Sequence, residues 1–156
     1  MLSQVLSEQR AALATFARFV RAHAAVTRRL SADLLERHGL TLHDYEVLLH
    51  LAGAADGRLR RVDLAERILL TPSGITRLLD GIGRAGLVAR AECESDRRVV
   101  YAELTEAGRR RFEEARQTHL DGIQAVFAGN LSPEEIETLG GLLGRLPLAA
   151  GEDCER

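Results

Sequence analysis

The segment between residues 62 and 101 constrains the fold of this chain more than any other part of the sequence. Two short helical patterns meet at Leu70-Thr71-Pro72, and the second ends at Gly86. Two strand-like runs follow at 87–92 and 98–104, joined by a charged stretch. A helix, a turn, a helix and a charged hairpin predict a winged helix-turn-helix. One helix of that motif fits the major groove of DNA, and its hairpin reaches the neighbouring backbone or minor groove.

Apolar residues at helical spacing flank this segment on both sides. They predict a long helix over 4–37, a fifth helix from Thr105 to about Gly129, and a sixth helix that begins after Ser132 and ends at Pro147. The fold class expected is therefore mainly α with a small β-wing: a winged helix-turn-helix with N- and C-terminal dimerisation helices.

Capping residues indicate where the helices within residues 41–104 begin. Thr41 is an N-cap with Asp44 three positions later, and Thr71 is an N-cap followed by a proline at the first helical position. The third helix is predicted over about 62–69, with Val62 among the residues that face the core.

The chain is expected to form one unit over 1–150. In this organisation 4–37 and 105–147 are dimerisation helices, 41–104 is the DNA-binding lobe and 151–156 is a flexible tail. The outer helices carry more apolar surface than the lobe can cover. A second copy would bury that surface and set two recognition helices about 34 Å apart, one DNA turn.

Composition narrows the class of protein. The net charge is −2, yet 58–90 holds seven arginines against three acidic residues, which favours selective contact with phosphates. The apolar runs are too short to span a bilayer and the N-terminus lacks a signal-peptide core, so we expect no membrane association and a cytoplasmic location.

No residue pattern supports catalysis or a bound cofactor. The sequence has no P-loop, no GxGxxG after a strand, no HExxH and no supported Ser/His/Asp set, so we expect no enzyme and no cofactor. Cys93 and Cys154 make neither a disulfide framework nor a CxxC pair. The histidines show no metal-ligand spacing, and we expect them to be satisfied or exposed. They are His23, His38, His43, His50 and His119.

The chain resembles the multiple antibiotic resistance regulator (MarR) family of bacterial transcription factors over nearly its whole length. Two stretches depart from the family pattern. Arg60-Arg61 stands where the family usually has a capping Ser or Thr, and Gly81-Ile82-Gly83 stands where it commonly has a Leu-Glu pair. The resemblance is carried by Gly39-Leu40-Thr41, Asp63-Leu64-Ala65-Glu66, Thr71 to Asp80, Gly86 to Arg90, Asp96-Arg97-Arg98 and Leu104 to Gly108.

These motifs imply which side chains meet double-stranded DNA at a palindromic operator. In the major groove we expect Ser73, Gly74, Thr76 and Arg77, with Arg77 reading a guanine, and Thr71 is also expected to contact DNA. At the wing tip, the resemblance makes Arg97 the minor-groove arginine, while Asp96 orients Arg77 or Arg98. Further phosphate contacts are expected from Arg60, Arg61 and Arg90, for which an ordinary solvated surface is the alternative.

The resemblance also implies a homodimeric repressor that responds to a small anionic or aromatic effector. Candidate lining residues are Phe16, Phe19, His23, His43, Tyr45 and Phe112, for which plain core packing is the alternative. The sequence is also compatible with two other functions. One is a redox- or metal-sensing regulator of the same fold, in which Cys93 would react. The other is a winged-helix protein-interaction module that does not read DNA.

Overall fold

The computed structural model of the chain describes residues 2–92 and 99–146. Helices dominate these ranges, and three short strands form one sheet. This confirms the mainly α class with a small β-wing. In chain order the elements are α1 (Leu2–His38), α2 (Leu42–Gly53), β1 (Arg58–Arg60), α3 (Arg61–Arg67), α4 (Pro72–Arg84), β2 (Val88–Glu92), β3 (Val100–Leu104), α5 (Glu106–Phe127) and α6 (Pro133–Leu143).

The expected helix starts are confirmed by their caps. The Thr41 hydroxyl accepts a hydrogen bond from the Asp44 amide at 3.2 Å, and the Thr41 amide donates to the Asp44 carboxylate at 2.8 Å. Ser132 and Glu135 build the same reciprocal box at α6. Before α2 the chain turns at Gly39, whose φ of 66° is the left-handed value that favours glycine.

The sheet is antiparallel with the strand order β1-β3-β2. Strands β2 and β3 confirm the expected hairpin arms, with Val88 opposite Leu104. The sequence did not predict β1, in which Arg60 lies opposite Tyr101. Three residues with two arginines carry no local strand signal, and β1 is a strand only because it pairs with β3.

The core lies where α2, α3, α4 and the sheet meet α5 and the second half of α1. Val62 was predicted to face this core and is instead 55% exposed. It lies about 110° around the helix from the centre of the buried stripe, so it points to solvent. The fully buried side chains include Leu34, Leu48, Leu51, Leu64, Ile75 and Ala115.

Two apolar faces are only partly covered by the residues that the structure describes. α6 has no buried residue, and Leu142 on it is 54% exposed. On the first half of α1, Leu13 and Phe16 are 68% and 65% exposed. The prediction that Pro147 ends the sixth helix was wrong, because α6 already ends at Leu143.

A compact junction joins the start of β2 to the start of α5. The Thr105 hydroxyl donates to the carbonyl oxygens of Gly86 and Leu87, at 2.8 and 3.0 Å, and accepts from the Gly108 amide at 2.9 Å. The Leu87 carbonyl also accepts from the Thr105 amide. Gly108 is buried against that carbonyl and leaves no room for a side chain. The junction fixes the position of the hairpin relative to α5.

Candidate nucleic-acid interface

The recognition helix α4 divides cleanly into a buried and an open face. Ile75 and Ile82 are buried, whereas Ser73 and Arg77 are exposed. Thr76 is half-buried, and its hydroxyl donates to the Pro72 carbonyl at 2.8 Å. Since this hydroxyl donates its proton to Pro72, it remains free to accept a hydrogen bond from an amino group of a base, whereas a phosphate has no proton to donate to it. The open face is therefore polar at its start and carries two exposed arginines, Arg77 and Arg84, with the exposed Asp80 between them.

The first turn of α4 is held by side-chain hydrogen bonds. The Thr71 hydroxyl accepts from the Gly74 amide at 3.1 Å and lies 3.3 Å from the Ser73 hydroxyl. A Cβ on Gly74 would lie only 3.1 Å from the Thr71 hydroxyl oxygen. Glycine at 74 therefore has a structural reason, the cap, in addition to the close approach to DNA that the sequence predicted.

The two glycines late in α4 do not break the helix, which continues to Arg84. A Cβ on Gly81 would meet nothing within 4 Å, whereas a Cβ on Gly83 would lie 3.6 Å from the Val88 carbonyl oxygen. Gly83 thus packs beside the start of β2, and Gly81 has open space around it.

Arginines surround α4, and several already have neighbours. The Arg58 guanidinium lies 5.3 Å above the centre of the Tyr101 ring. Arg61 and Arg90 line a cleft of about 250 Å³ between α4 and the sheet, together with Thr76. The structure thus brings two of the predicted phosphate-binding arginines and one predicted groove residue to the same cleft.

Arg60, the third predicted phosphate contact, forms a bidentate ion pair with Asp63. Arg60 Nε and Nη2 each donate to a separate carboxylate oxygen at 2.7 Å. These hydrogen bonds raise the pKa of the Arg60 guanidinium above its usual value. Asp63 was not predicted as the partner of Arg60, although the spacing of three residues between them was a usable signal.

The wing tip lies outside the described residues. Strands β2 and β3 are paired as far as Glu92 and Val100. The roles of Asp96, Arg97 and Arg98 in DNA contact stay predictions, as does the reactivity of Cys93.

The six candidate effector residues fall into two groups. Tyr45 and Phe112 are buried, with ring centroids 5.5 Å apart. The other four residues lie on exposed surface of α1 and α2, and they are Phe16, Phe19, His23 and His43. Within the single chain, two members of the set are core residues and four are open.

Glu46, a titratable residue near this region, was not predicted from the sequence, and the prediction that the histidines are satisfied or exposed was wrong for His119, which is half-buried with an unsatisfied ring nitrogen. Burial raises the pKa of Glu46 on α2, and the nearby charges of His43 and His23 oppose that rise. Burial lowers the pKa of His119 on α5, whose ring lies 4.4 Å from that of Tyr45. The His119 Nδ1 atom is buried without a hydrogen-bond partner in the described part of the chain. A polar residue on an apolar helix face was the only available signal.

The described ranges contain neither a membrane-spanning helix nor a cluster of metal-ligating side chains. None of the helices there combines the length and apolarity that crossing a membrane requires. The same residues contain no group of three or more His, Cys, Asp or Glu side chains arranged to hold a metal ion. His38 has a structural role, since its Nε2 lies 2.8 Å from the Thr118 hydroxyl.

A helix-turn-helix with a paired hairpin and a polar, arginine-bearing helix face defines a winged-helix DNA-binding protein. A sequence model of the MarR family matches residues 38–99. The HTH-type transcriptional repressor YetL of Bacillus subtilis is 38% identical over 112 residues, covering 69% of this chain and 66% of YetL.

Solved structures agree with that match. The crystal structure of AbsC, a MarR family transcriptional regulator from Streptomyces coelicolor, has a TM-score of 0.77 at 30% identity and covers 84% of this chain and 88% of AbsC. Sco3205 from the same organism, solved in complex with DNA, has a TM-score of 0.79 at 25% identity and covers 84% of this chain and 85% of Sco3205. The chain belongs to the MarR family and is a DNA-binding transcriptional regulator.

Proposed function

We propose that the protein is a homodimeric, ligand-responsive repressor that acts in the cytoplasm on a palindromic operator. The observation that carries the proposal is the open face of α4, where Ser73 and Arg77 are exposed opposite the buried Ile75 and Ile82. A helix that buries one side in the core and presents hydroxyls and a guanidinium on the other is suited to the major groove.

In this proposal the contacts divide between bases and backbone. Arg77 reads a guanine, and Ser73, Gly74 and Thr76 lie against the groove, where short side chains permit close approach. Arg61 and Arg90, at the cleft between α4 and the sheet, contact phosphates on one side, and Arg97 enters the minor groove from the wing.

The dimer is proposed from the uncovered apolar faces. α6 has no buried residue, and the exposed side chains on the first half of α1 include Leu13 and Phe16. Burying one such side chain stabilises an assembly by about 1.5–3 kcal/mol. We therefore assign 4–37 and 105–147 to dimerisation and 41–104 to DNA binding. Sedimentation should give a dimer at micromolar concentration, and a monomer there would remove the two-half-site geometry.

The effector site is proposed between the dimer helices and the DNA-binding lobe. Phe16, Phe19, His23 and His43 are exposed in the single chain, so a partner copy could close over them, whereas Tyr45 and Phe112 are buried in the core of the lobe. Open aromatic rings and two imidazoles suit a small anionic or aromatic compound. Such a ligand would act by changing the separation of the two recognition helices.

The test of the function is selection of the bound sequence from random DNA. The proposal expects an enriched palindrome whose half-sites are about one DNA turn, roughly 10 base pairs, apart. Arg77→Ala is then compared with the wild-type chain on that duplex and on a scrambled one. Enrichment of no sequence, with equal binding of all duplexes, would contradict sequence-specific regulation.

A further inference from the structure

The Arg60–Asp63 pair at the start of α3 is a close bidentate contact on a face assigned to DNA. Both carboxylate oxygens of Asp63 are used, each at 2.7 Å from a different guanidinium nitrogen. The Arg60 side chain is 53% exposed and that of Asp63 27%. Two parallel charge-assisted hydrogen bonds of this length fix the plane of the guanidinium.

This pair lies at the position where α2, α4, α5 and α6 have a capping side chain. Arg60 is the N-cap residue of α3 and makes no side-chain cap bond. Asp63 occupies the third helical position, which in α2 and α6 is filled by the carboxylate that reaches back to the cap amide. In α3 the carboxylate holds the arginine side chain instead.

Holding Arg60 in this way changes what it offers to a phosphate. Arginine has five N–H donors in a fixed plane, and Asp63 occupies two of them along one edge. A phosphate that approaches that edge must displace the carboxylate, and the pair as a whole carries no net charge. Release of counterions, which drives non-specific DNA binding, requires a net positive contact.

We propose that Asp63 is a positioning residue that restrains Arg60 and thereby limits the affinity of the protein for DNA of any sequence. This inference rests on the proposed DNA-binding function and deepens it. Removing the carboxylate charge should free one arginine for a phosphate on operator and unrelated DNA alike.

The experiment measures the affinity of Asp63→Asn for the selected operator and for a scrambled duplex at several salt concentrations. The slope of log affinity against log salt should become steeper by about 0.9, the value for one added phosphate contact. Both duplexes should bind about two- to fivefold more tightly at moderate salt, as expected for one exposed ion pair.

Glu66→Gln is the matched control. Glu66 lies on the same helix, and its charge acts on Arg60 only at longer range, whereas Asp63 is hydrogen-bonded to it. This variant removes the same charge without releasing the guanidinium. Its salt slope should stay at the wild-type value.

Measuring Arg60→Ala in the wild-type and in the Asp63→Asn background gives a second test, so the conclusion does not depend on Asp63→Asn alone folding correctly. In the wild-type background it should change the salt slope little, because Arg60 is restrained. In the Asp63→Asn background it should remove the added slope of about 0.9. Additive effects in the two backgrounds would mean that Asp63 acts only as a general charge, which would overturn the inference.

Two other results are informative. Weaker DNA binding by Asp63→Asn would mean that the carboxylate presents Arg60 to DNA rather than restrains it, which also overturns the inference. If the wild-type chain bound no duplex at all, the proposed function itself would fail. A wild-type chain with normal salt dependence and an unresponsive Asp63→Asn variant would overturn this inference alone.

Discussion

Replacing Gly108 by alanine should weaken the fold far more than a methyl group normally does. Gly108 is in the first turn of α5, where its amide donates to the Thr105 hydroxyl at 2.9 Å. A Cβ at this position would overlap the Leu87 carbonyl oxygen and lie 2.8 Å from Leu104 Cδ1. The Leu104 methyl can rotate away, but the Leu87 carbonyl belongs to the backbone and already accepts two hydrogen bonds from Thr105.

The expected cost combines two effects. Inserting a methyl group into a packed site costs about 1–3 kcal/mol. Moving α5 away from Leu87 also strains the Thr105 cap, and losing a cap costs about 1 kcal/mol. The free energy of unfolding should therefore fall by about 2–4 kcal/mol. For a chain of this length that lowers the melting temperature by about 5–15 °C.

Gly81→Ala is the control, since a Cβ there would meet nothing within 4 Å. Alanine in a helix interior is about 1 kcal/mol more favourable than glycine, so this variant should be slightly more stable than the wild type. Both variants are melted at one protein concentration, because dimer stability depends on concentration. A Gly108→Ala variant that melts within about 1 °C of the wild type would refute the packing argument.

Three further outcomes are expected. Arg77→Ala should reduce the binding free energy by about 1–3 kcal/mol on the operator and by far less on scrambled DNA. Arg61→Ala should weaken binding to both duplexes equally. An equal loss on both duplexes for Arg77→Ala would mean that Arg77 contacts a phosphate. Because burial lowers the pKa of His119 from 6.5, protonation favours the unfolded chain, and stability is lost as pH falls below about 6.5. His119→Phe should remove that part of the loss in denaturant titrations at pH 7 and pH 5, and an unchanged loss would contradict the assignment. Leu69 has a φ of 55° and is 90% exposed, so Leu69→Gly should raise the melting temperature, and a lower one would show that this backbone is not strained.

Helix starts and the recognition helix could be predicted because their signals are local. The Thr71 hydroxyl, the proline after it and the apolar spacing of Ile75 and Ile82 all act within one or two turns. β1 could not be predicted, since it is a strand only through its pairing with β3, some 40 residues away in sequence.

At the candidate site, too, features set by local sequence could be predicted and features set by tertiary contacts could not. The residues of the α4 face followed from helical periodicity, and the structure places Ser73 and Arg77 in the open as expected. The restraint of Arg60 did not follow, because the direction of that side chain depends on where β1 ends and α3 begins. The prediction that Val62 faces the core was wrong for a related reason. The short α3 has too few apolar positions to determine from the sequence which of its faces is buried.

The junction at Leu87 has a consequence for how a signal could travel through the molecule. Thr105 ties the start of α5 to the Gly86 and Leu87 carbonyls, and Gly108 lies against the same peptide group. A hinge requires a backbone segment that can change conformation, and the hydrogen bonds of Thr105 and the close packing of Gly108 restrict such a change here. In the proposed dimer, a rotation of α5 is therefore expected to move the start of β2 with it, because both are held at the Leu87 peptide group.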